Sequence, residues 1–300
     1  MKISLVDLDN SGFPNLALMK LSAWLKSEGH EVSLNFPLGA DKIYASCVFS
    51  WNRERVKSLP IEAIVGGSAI SLDKLPEHIE HIQPDYTLYG KDFSLGFTSR
   101  GCYRSCSWCI VPQKEGPIQA WADIYEFWDS SHQEINILDN NLLAAPNAQE
   151  TLDCLIGEGL QVDFGQGLDI RCITFDLARR LAKIKLWPGG SLRFAFDSLE
   201  HEVATRQGIE ILKEAGVPLS RLLFYTLFGA GETPKEQQRR LEILNEYRIA
   251  VFPMFFVPLN AKSKISLDYP NIPCNDLIYP EVRGPRRSFQ KMMRRLKGNK

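Results

Sequence analysis

Three cysteines in one short stretch of the sequence have the residue type and spacing of a metal site. Cys102, Cys106 and Cys109 form a C-x3-C-x2-C pattern in the segment GCYRSCSWC. Three soft thiolates can bind three irons of a cubane [4Fe–4S] cluster and leave the fourth iron open to an external chelating ligand. A zinc site with three thiolates would need a further ligand and more often shows C-x-x-C pairs. The pattern therefore favours a [4Fe–4S] cluster over zinc.

The overall use of cysteine also favours a metal site over disulfides. The chain has seven cysteines, an odd number, and three of them lie within eight residues. Such crowding is typical of metal ligands in a reducing compartment. Cys47, Cys154, Cys172 and Cys274 lack clustered spacing. We expect these four to pack as small hydrophobic residues.

Composition and charge predict a soluble protein of the cytoplasm. Lys and Arg total 35 against 36 Asp and Glu, so the net charge of -1 gives no overall attraction to nucleic acid or to an acidic membrane. No apolar run approaches the ~20 residues of a membrane-spanning helix, and the first residues lack the pattern of a secretion signal. We therefore expect a cytoplasmic location, no membrane partner and no favoured nucleic-acid partner.

The segments that must position the cysteines alternate between short apolar strands and amphipathic helices. The strand candidates are 93–98, 134–138, 161–164, 192–196, 222–227 and 250–256. The helical stretches are 148–156, 174–184, 201–214 and 234–247, with Thr233 as an expected N-cap and Gly216 as an expected helix stop. Serial βα units predict an α/β fold with a partial (β/α)6 barrel. The cysteine loop follows the first strand, at the barrel end where active sites gather.

The chain divides into three predicted parts. Residues 1–92 carry a helix among short strands, which predicts a small Rossmann-like α/β domain. Residues 93–260 form the predicted barrel, and 261–300 form a C-terminal extension. The last part of this extension, 283–300, has no acidic residue and contains the basic residues Arg283, Arg286, Arg287, Lys291, Arg294, Arg295, Lys297 and Lys300. We expect a solvated helix there, and docking of RNA or of an acidic electron-transfer protein is the alternative.

From about residue 93 to 259, the sequence resembles the radical SAM superfamily. The resemblance rests on the motif C-x3-C-x-aromatic-C, with Trp108 in the aromatic position. It implies a [4Fe–4S] cluster and S-adenosyl-L-methionine (SAM) as cofactors. In this superfamily SAM chelates the open iron, and an electron from the cluster splits it into methionine and a 5′-deoxyadenosyl radical. The resemblance thus implies an enzyme that abstracts hydrogen from a small-molecule substrate and takes electrons from a flavodoxin- or ferredoxin-type donor.

The resemblance also implies cofactor-binding residues at the strand ends. Polar groups after the second strand would receive the methionine ammonium, those after the fourth would bind the ribose or the carboxylate, and the fifth and sixth strands would contact the adenine. The residues in these places, together with the motif tryptophan, are Trp108, Asp139, Asn140, Asn141, Asp197, Ser198, Thr226, Gly229, Phe256 and Val257. The segment 139–141 departs from the usual Gly-Gly-Glu form, and an Asx turn is the structural alternative.

Substrate contacts are expected where polar residues gather at a strand end without a need for packing. Gln166, Asp169 and Arg171 follow the third strand and would face the barrel opening. A structural ion pair between Asp169 and Arg171 is the alternative. Arg193 and Tyr225 are further candidates, and strand alternation leaves open which face each occupies.

In layout, the first domain is similar to the cobalamin-binding domain of one radical SAM branch. Asp9 stands where some such domains have the cobalt-binding histidine, and a carboxylate cannot supply a neutral nitrogen ligand. We interpret the domain as a truncated form that no longer holds cobalamin. The compact layout is similar to that of queuine lyases, which implies lyase or related radical C–C or C–N bond chemistry on a 7-deazaguanine base. The alternatives are a cobalamin-dependent radical SAM methyltransferase, a tRNA-modifying enzyme and a non-catalytic iron–sulfur electron-transfer protein.

Overall fold

The structure, a computed structural model, describes residues 1–256 apart from the Phe255 side chain, and contacts divide the chain into two units. The first unit contains Met1–Phe97 and Ala122–Ile135, and the second contains Thr98–Trp121 and Asn136–Phe256. Val257 and the predicted C-terminal extension lie outside the described residues. Both units combine helices with parallel strands, so the predicted α/β class is confirmed. Among residues 1–256, no helix has the length and apolar character needed to cross a membrane.

The first unit is built on a four-stranded parallel sheet. Its strands are β1 (Lys2–Asp7), β2 (Glu31–Leu34), β3 (Lys42–Ser46) and β4 (Ile64–Gly66), in the spatial order β2-β1-β3-β4. Helix α1 (Leu16–Ser27) connects β1 to β2 and begins at Asn15, whose side chain accepts a hydrogen bond from the Leu18 amide at 3.2 Å. The apolar residues of α1 and β1 form one buried cluster that includes Ile3, Leu5, Leu18, Leu21 and Leu25.

The remaining elements of the first unit are short. They comprise a 3-10 helix (Ser50–Ser58), helix α2 (Glu77–Glu80) and strand β5 (Phe93–Gly96). The Tyr86 hydroxyl donates a hydrogen bond to the carbonyl of Phe127. A side chain at Gly96 would meet the Phe127 ring, because an added Cβ would lie 2.3 Å from Cγ. Strand β5 therefore requires glycine at its last residue.

The second unit begins with an antiparallel hairpin that the sequence did not predict. Strands β6 (Ser99–Arg100) and β7 (Gln119–Ala120) pair through Ser99↔Ala120 and Arg100↔Gln119. The segment between them contains the three motif cysteines and one short helix, α3 (Val111–Lys114). The cysteine motif is therefore carried on a loop whose two ends are paired with each other.

Parallel strands and four longer helices make up the rest of the second unit. The strands are β8 (Glu134–Ile137), of which the last two residues belong to this unit, β9 (Gln161–Phe164), β10 (Leu168–Asp169), β11 (Lys185–Leu186), β12 (Leu192–Ala195), β13 (Leu222–Phe228) and β14 (Ala250–Phe255). One sheet has the order β10-β12-β13-β14, and β11, β9 and β8 are neighbours in another. The helices are α4 (Ala148–Gly157), α5 (Phe175–Lys183), α6 (Glu202–Glu214) and α7 (Pro234–Glu246).

The two faces of the β12–β13 pair differ in character. Phe194 and Phe224 are fully buried and their rings stack with centroids 5.6 Å apart. Alternate residues on each strand point to opposite faces, so Arg193 and Tyr225 lie on the other face. That second face is only partly buried. One face of this sheet therefore forms core, and the other is open to polar contacts.

The helix and strand predictions agree with the structure within a few residues. The four longer helices of the second unit match the predicted stretches, and both predicted end signals are confirmed. Thr233 forms a capping box with Glu236, in which the hydroxyl accepts from the Glu236 amide at 3.3 Å. Gly216 follows the end of α6 with φ of +88°. The hairpin, β10, β11 and the short helices were missed because segments of two to four residues carry no readable periodicity.

Replacing Gly67 by alanine tests the packing of the first unit. Gly67 has φ of +98°, and an added Cβ would lie 2.3 Å from the Cys47 carbonyl oxygen. We expect Gly67→Ala to lower the free energy of unfolding by about 2 kcal/mol, because strain and a backbone clash combine. Gly39→Ala is the matched control, since Gly39 has φ of +75° but nothing within 4 Å of the added atom. Equal losses in chemical denaturation would contradict the proposed clash.

Candidate functional site

The cysteine loop begins at a glycine that no other residue can replace without a clash. Gly101 has φ of +86°, and an added Cβ would lie 2.2 Å from the Pro117 carbonyl oxygen. Its amide donates to Oδ1 of Asn140 at 3.0 Å. The Cys102 amide donates to the Gly116 carbonyl at 3.1 Å, which extends the pairing of β6 and β7. The first cysteine is thereby fixed close to the base of the hairpin.

The three motif cysteines are partly buried thiols, and none of them forms a disulfide. The Cys109 amide donates to the Cys106 carbonyl at 3.0 Å, which turns the chain between these two residues. Burial raises the pKa of the Cys106 thiol; the Arg171 charge opposes this effect, and the charges on Cys109 and Cys102 add to it. Burial likewise raises the pKa of Cys109, to which Cys102 and Asp197 contribute.

The donor set fits an iron–sulfur cluster. Cys102 Sγ accepts hydrogen bonds from the Arg104 amide and from Nδ2 of Asn141, both at 3.4 Å. Such donors stabilise the negative sulfur of a metal-bound thiolate. Within residues 1–256, no group of three or more His, Cys, Asp or Glu side chains is arranged to hold one metal ion. A cubane does not require such a group, because each of its irons binds a different thiolate.

Asp139 is a buried anchor for the segment that leads into the cysteine loop. Its carboxylate accepts from the Thr98 amide at 2.6 Å, the Thr98 hydroxyl at 2.7 Å and the Ser99 hydroxyl at 2.5 Å. Burial raises the pKa of Asp139 to about 6, against the effect of these hydrogen bonds. The side chain is 3% exposed. Asp139 thus joins the end of β8 to the residues that begin β6.

Asp169 lies at the centre of a network of charged and polar side chains. It accepts from Arg171 Nε at 2.6 Å, from Arg104 Nε at 3.0 Å and from Asn141 Nδ2 at 3.4 Å. Burial acts to raise the pKa of Asp169, but the hydrogen bonds and charges of the two arginines outweigh it and hold the pKa below its usual range. The Asp169–Arg171 ion pair, which the sequence offered as an alternative, is therefore present. Asp169 also pairs with Arg104, which lies within the cysteine motif.

Three further contacts extend this network. Nη1 of Arg171 lies 2.6 Å from Nε2 of His201, and burial together with the Arg171 charge lowers the pKa of that imidazole. The Tyr103 hydroxyl lies 3.3 Å from Cys172 Sγ, and the Arg104 guanidinium stacks on the Tyr103 ring at 4.4 Å. Sequence reasoning missed Tyr103, Arg104 and His201. Tyr103 and Arg104 could have been found from their position between two cysteines of the motif.

The ends of β12 and β13 carry the other predicted cofactor residues. Asp197 Oδ1 accepts from the Leu227 amide at 2.9 Å, and burial raises the pKa of Asp197. Ser198 accepts from the Glu200 amide at 3.3 Å and so begins a short 3-10 helix. Thr226 is fully buried, and its hydroxyl has no hydrogen-bond partner among the residues that the structure describes. Gly229 has φ of +81°, which makes the turn after β13.

A buried arginine that the sequence did not single out holds these two strand ends together. Arg240 is 0% exposed, and its guanidinium donates to the carbonyls of Phe196 at 2.5 Å and Leu227 at 2.6 Å. It also pairs with Glu232 at 2.6 Å, and Glu232 in turn accepts from the Leu199 amide at 2.6 Å. Because the charge is paired and fully hydrogen-bonded, the arginine can be accommodated in the interior.

The predicted substrate residues lie in different surroundings. Arg193 forms an ion pair with Asp163, which also accepts from Nδ2 of Asn136 at 2.9 Å. Tyr225 packs against Phe252 with ring centroids 5.8 Å apart. Gln166 is exposed. Arg193 and Tyr225 share the open face of their sheet, whereas Asp169 and Arg171 belong to the network at the cysteine loop.

Trp108 and Phe256 are the remaining predicted cofactor residues that lie within the described part of the chain. Trp108 is partly buried within the cysteine loop. The Phe256 amide donates to the Phe228 carbonyl at 2.9 Å, so its backbone continues the pairing of β14 with β13. Val257 lies outside the described residues.

In the first unit, Asp9 has a defined structural role. Its carboxylate accepts from the Val48 amide at 2.6 Å, the Phe49 amide at 3.2 Å and Nδ2 of Asn52 at 2.8 Å. These bonds hold the segment after β3 against the loop after β1. The carboxylate that occupies the position of a histidine in the resembling domains is therefore an anchor for its own loop.

Comparison with known proteins gives no independent assignment. No protein-family profile matches this sequence, and a search of curated proteins finds no match.

The raised pKa of Asp139 predicts a pH-dependent contribution to stability. The folded state holds a proton on this carboxyl up to a pH of about 6, whereas the unfolded state loses it near 4. As pH rises from about 4 to about 6, the wild type should therefore lose roughly 3 kcal/mol of stability relative to Asp139→Asn. Chemical denaturation of both proteins across this range measures the difference. A difference that stays constant with pH would refute the raised pKa.

Proposed function

We propose that this chain is a radical SAM enzyme. The observation that carries the proposal is the cysteine loop itself. Three thiols that are not in disulfides share one loop, and the polar strand-end residues Asn141 and Asp169 contact that loop directly. This is the arrangement expected for a cluster that must meet a second ligand at the mouth of a parallel α/β fold.

The fold supports a partial barrel for the second unit, which we propose as its architecture. The Arg193–Asp163 ion pair joins β12 to β9, so the two sheets of the unit are neighbours at these strands. The parallel order β10-β12-β13-β14 also supports this proposal, because a (β/α)6 sheet is built from neighbouring parallel strands. Their carboxyl ends then share one rim, which carries the polar residues described above.

In this proposal Cys102, Cys106 and Cys109 hold the [4Fe–4S] cluster, and the fourth iron is left for SAM. When bound, the reduced cluster supplies the electron that splits SAM into methionine and a 5′-deoxyadenosyl radical, which takes a hydrogen atom from the substrate. The chain must supply deprotonated thiols. Because burial raises the pKa of two of them, cluster assembly should release protons and be favoured by mildly alkaline pH.

Several side chains have unused hydrogen-bonding capacity that suits SAM. Oδ1 of Asn141 is a buried acceptor without a partner among the described residues, and an ammonium group is a donor. Asp197 and Ser198 provide further polar groups at the next strand end. Asp139 is less suited, because its carboxylate already accepts three hydrogen bonds. We therefore propose Asn141 rather than Asp139 as the contact for the methionine ammonium.

For the substrate we propose a small planar molecule with hydrogen-bonding edges, such as a modified nucleobase. The open face of the β12–β13 pair combines the Arg193–Asp163 ion pair with the aromatic ring of Tyr225. An aromatic surface beside fixed donors and acceptors suits such a molecule. Lyase chemistry on a 7-deazaguanine base is therefore the first reaction to test, with a flavodoxin- or ferredoxin-type protein as the electron donor.

The decisive experiment compares two cysteine variants under anaerobic conditions. After reconstitution with iron and sulfide, dithionite and SAM are added, and 5′-deoxyadenosine is measured by chromatography. We expect wild type and Cys154→Ala to form it and Cys106→Ala to lose it at least about 100-fold, because a cluster ligand is removed. Cys154 lies in helix α4, outside the motif.

The alternatives give different results in the same experiment. A wild-type protein with a fully loaded cluster and no 5′-deoxyadenosine, with or without candidate substrates, would contradict the proposal and favour an electron-transfer protein. Formation of 5′-deoxyadenosine by Cys106→Ala at the wild-type rate would show that the cysteine motif is not required for SAM cleavage.

A further inference from the structure

The amide of Asn141 contacts two different partners at once. Nδ2 lies 3.4 Å from Cys102 Sγ and 3.4 Å from Asp169 Oδ2, and the residue is 3% exposed. One nitrogen that carries two hydrogens can donate to both atoms. The side chain is therefore a bridge between a motif cysteine and the buried carboxylate.

The orientation of this amide follows from the chemistry of its neighbours. The Asp169 carboxylate is held ionised by Arg171 and Arg104 and can only accept hydrogen bonds. The NH2 side of the Asn141 amide must therefore face Asp169, because the opposite orientation would bring two acceptors together. The same NH2 group then faces Cys102 Sγ.

Asp169 itself is fixed from several directions. Arg171 donates to it through Nε at 2.6 Å, through Nη2 at 2.9 Å and through its backbone amide at 3.1 Å. Arg104, from within the cysteine motif, adds a further bond at 3.0 Å. The carboxylate has little freedom to move, and the amide that it orients has equally little.

A hydrogen bond to a cluster sulfur changes the energy of the reduced state more than that of the oxidised state. Reduction adds negative charge, part of which resides on the thiolate sulfurs, and an N–H donor stabilises that charge. Donors to the sulfurs therefore raise the reduction potential of a cluster.

We propose that Asn141, oriented by Asp169, tunes the bound cluster by donating to the Cys102 thiolate and so raises its reduction potential. This inference rests on the proposed function. It assigns to Asn141 Nδ2 a role separate from that of Oδ1, and it makes Asp169 a positioning residue for the cluster rather than a substrate contact.

The experiment measures the midpoint potential of the reconstituted cluster without SAM, by redox titration followed by electron paramagnetic resonance. Asn141→Leu removes the donor at similar volume. Asn141→Ser is the second variant. The serine side chain introduces no branched apolar group, and it is too short to reach Cys102 Sγ. Asn147→Leu is the matched control, since the Asn147 amide donates to the Thr98 carbonyl at 2.9 Å and not to sulfur. Iron per chain is measured for every protein.

We expect both Asn141 variants to retain iron at the wild-type level and to shift to a more negative potential, whereas Asn147→Leu keeps the wild-type potential. Unshifted potentials in both Asn141 variants would overturn the inference and leave the proposed function standing. Loss of iron from both would also overturn it, because a tuning residue is not required for assembly. A wild-type chain that takes up no cluster would instead overturn the proposed function.

Discussion

The interaction on which the candidate site depends is the ion-pair network of Asp169. One buried carboxylate is shared by Arg104 from the cysteine loop and Arg171 from the strand end, so the loop is joined to the segment that follows β10. A buried carboxylate without these partners would favour its neutral form, and the loop would lose this attachment. The network therefore both stabilises a charge and sets the place of the cysteines.

Buried polar side chains also connect separate segments at two other strand ends. Asp139 accepts from Thr98 and Ser99 at the start of the hairpin, and Arg240 donates to the carbonyls that end β12 and β13. Asp139 joins the end of β8 to the start of the hairpin, whereas Arg240 joins helix α7 to the ends of two strands that already pair with each other. Because an unpaired buried polar group is costly, each such group favours a single arrangement of the chain around it.

Much of this arrangement could be predicted from the sequence, for identifiable reasons. The long helices and most strands follow from periodicity, and the Thr233 and Gly216 end signals reflect local chemistry that tertiary structure left intact. The cysteine motif is recognisable because its three cysteines lie within one short segment. The Asp169–Arg171 pair was foreseen as an alternative because the two residues are only two positions apart.

The features of the site that could not be predicted depend on contacts between residues distant in sequence. Arg104 and Asp169 are 65 positions apart, and Arg240 and Phe196 are 44 apart, so no local pattern connects either pair. The hydrogen bonds that Asp139 accepts could not be foreseen for the same reason. Its place at a strand end predicts a cofactor contact, and the hydroxyls that it contacts belong to Thr98 and Ser99, 41 and 40 positions away.

The hairpin of β6 and β7 bears on the conformational entropy that binding of the proposed cluster would cost. Free loops lose conformational freedom when ligands from different positions must converge, and this loss grows with the length of chain that is closed. Here the pairing of Ser99 with Ala120, extended by the Cys102–Gly116 bond, has already closed the loop before any metal arrives. Only the short segment within it must still be ordered. The hairpin thus preorganises the loop, so that most of the loss of conformational entropy occurs when the chain folds and not when the proposed cluster binds.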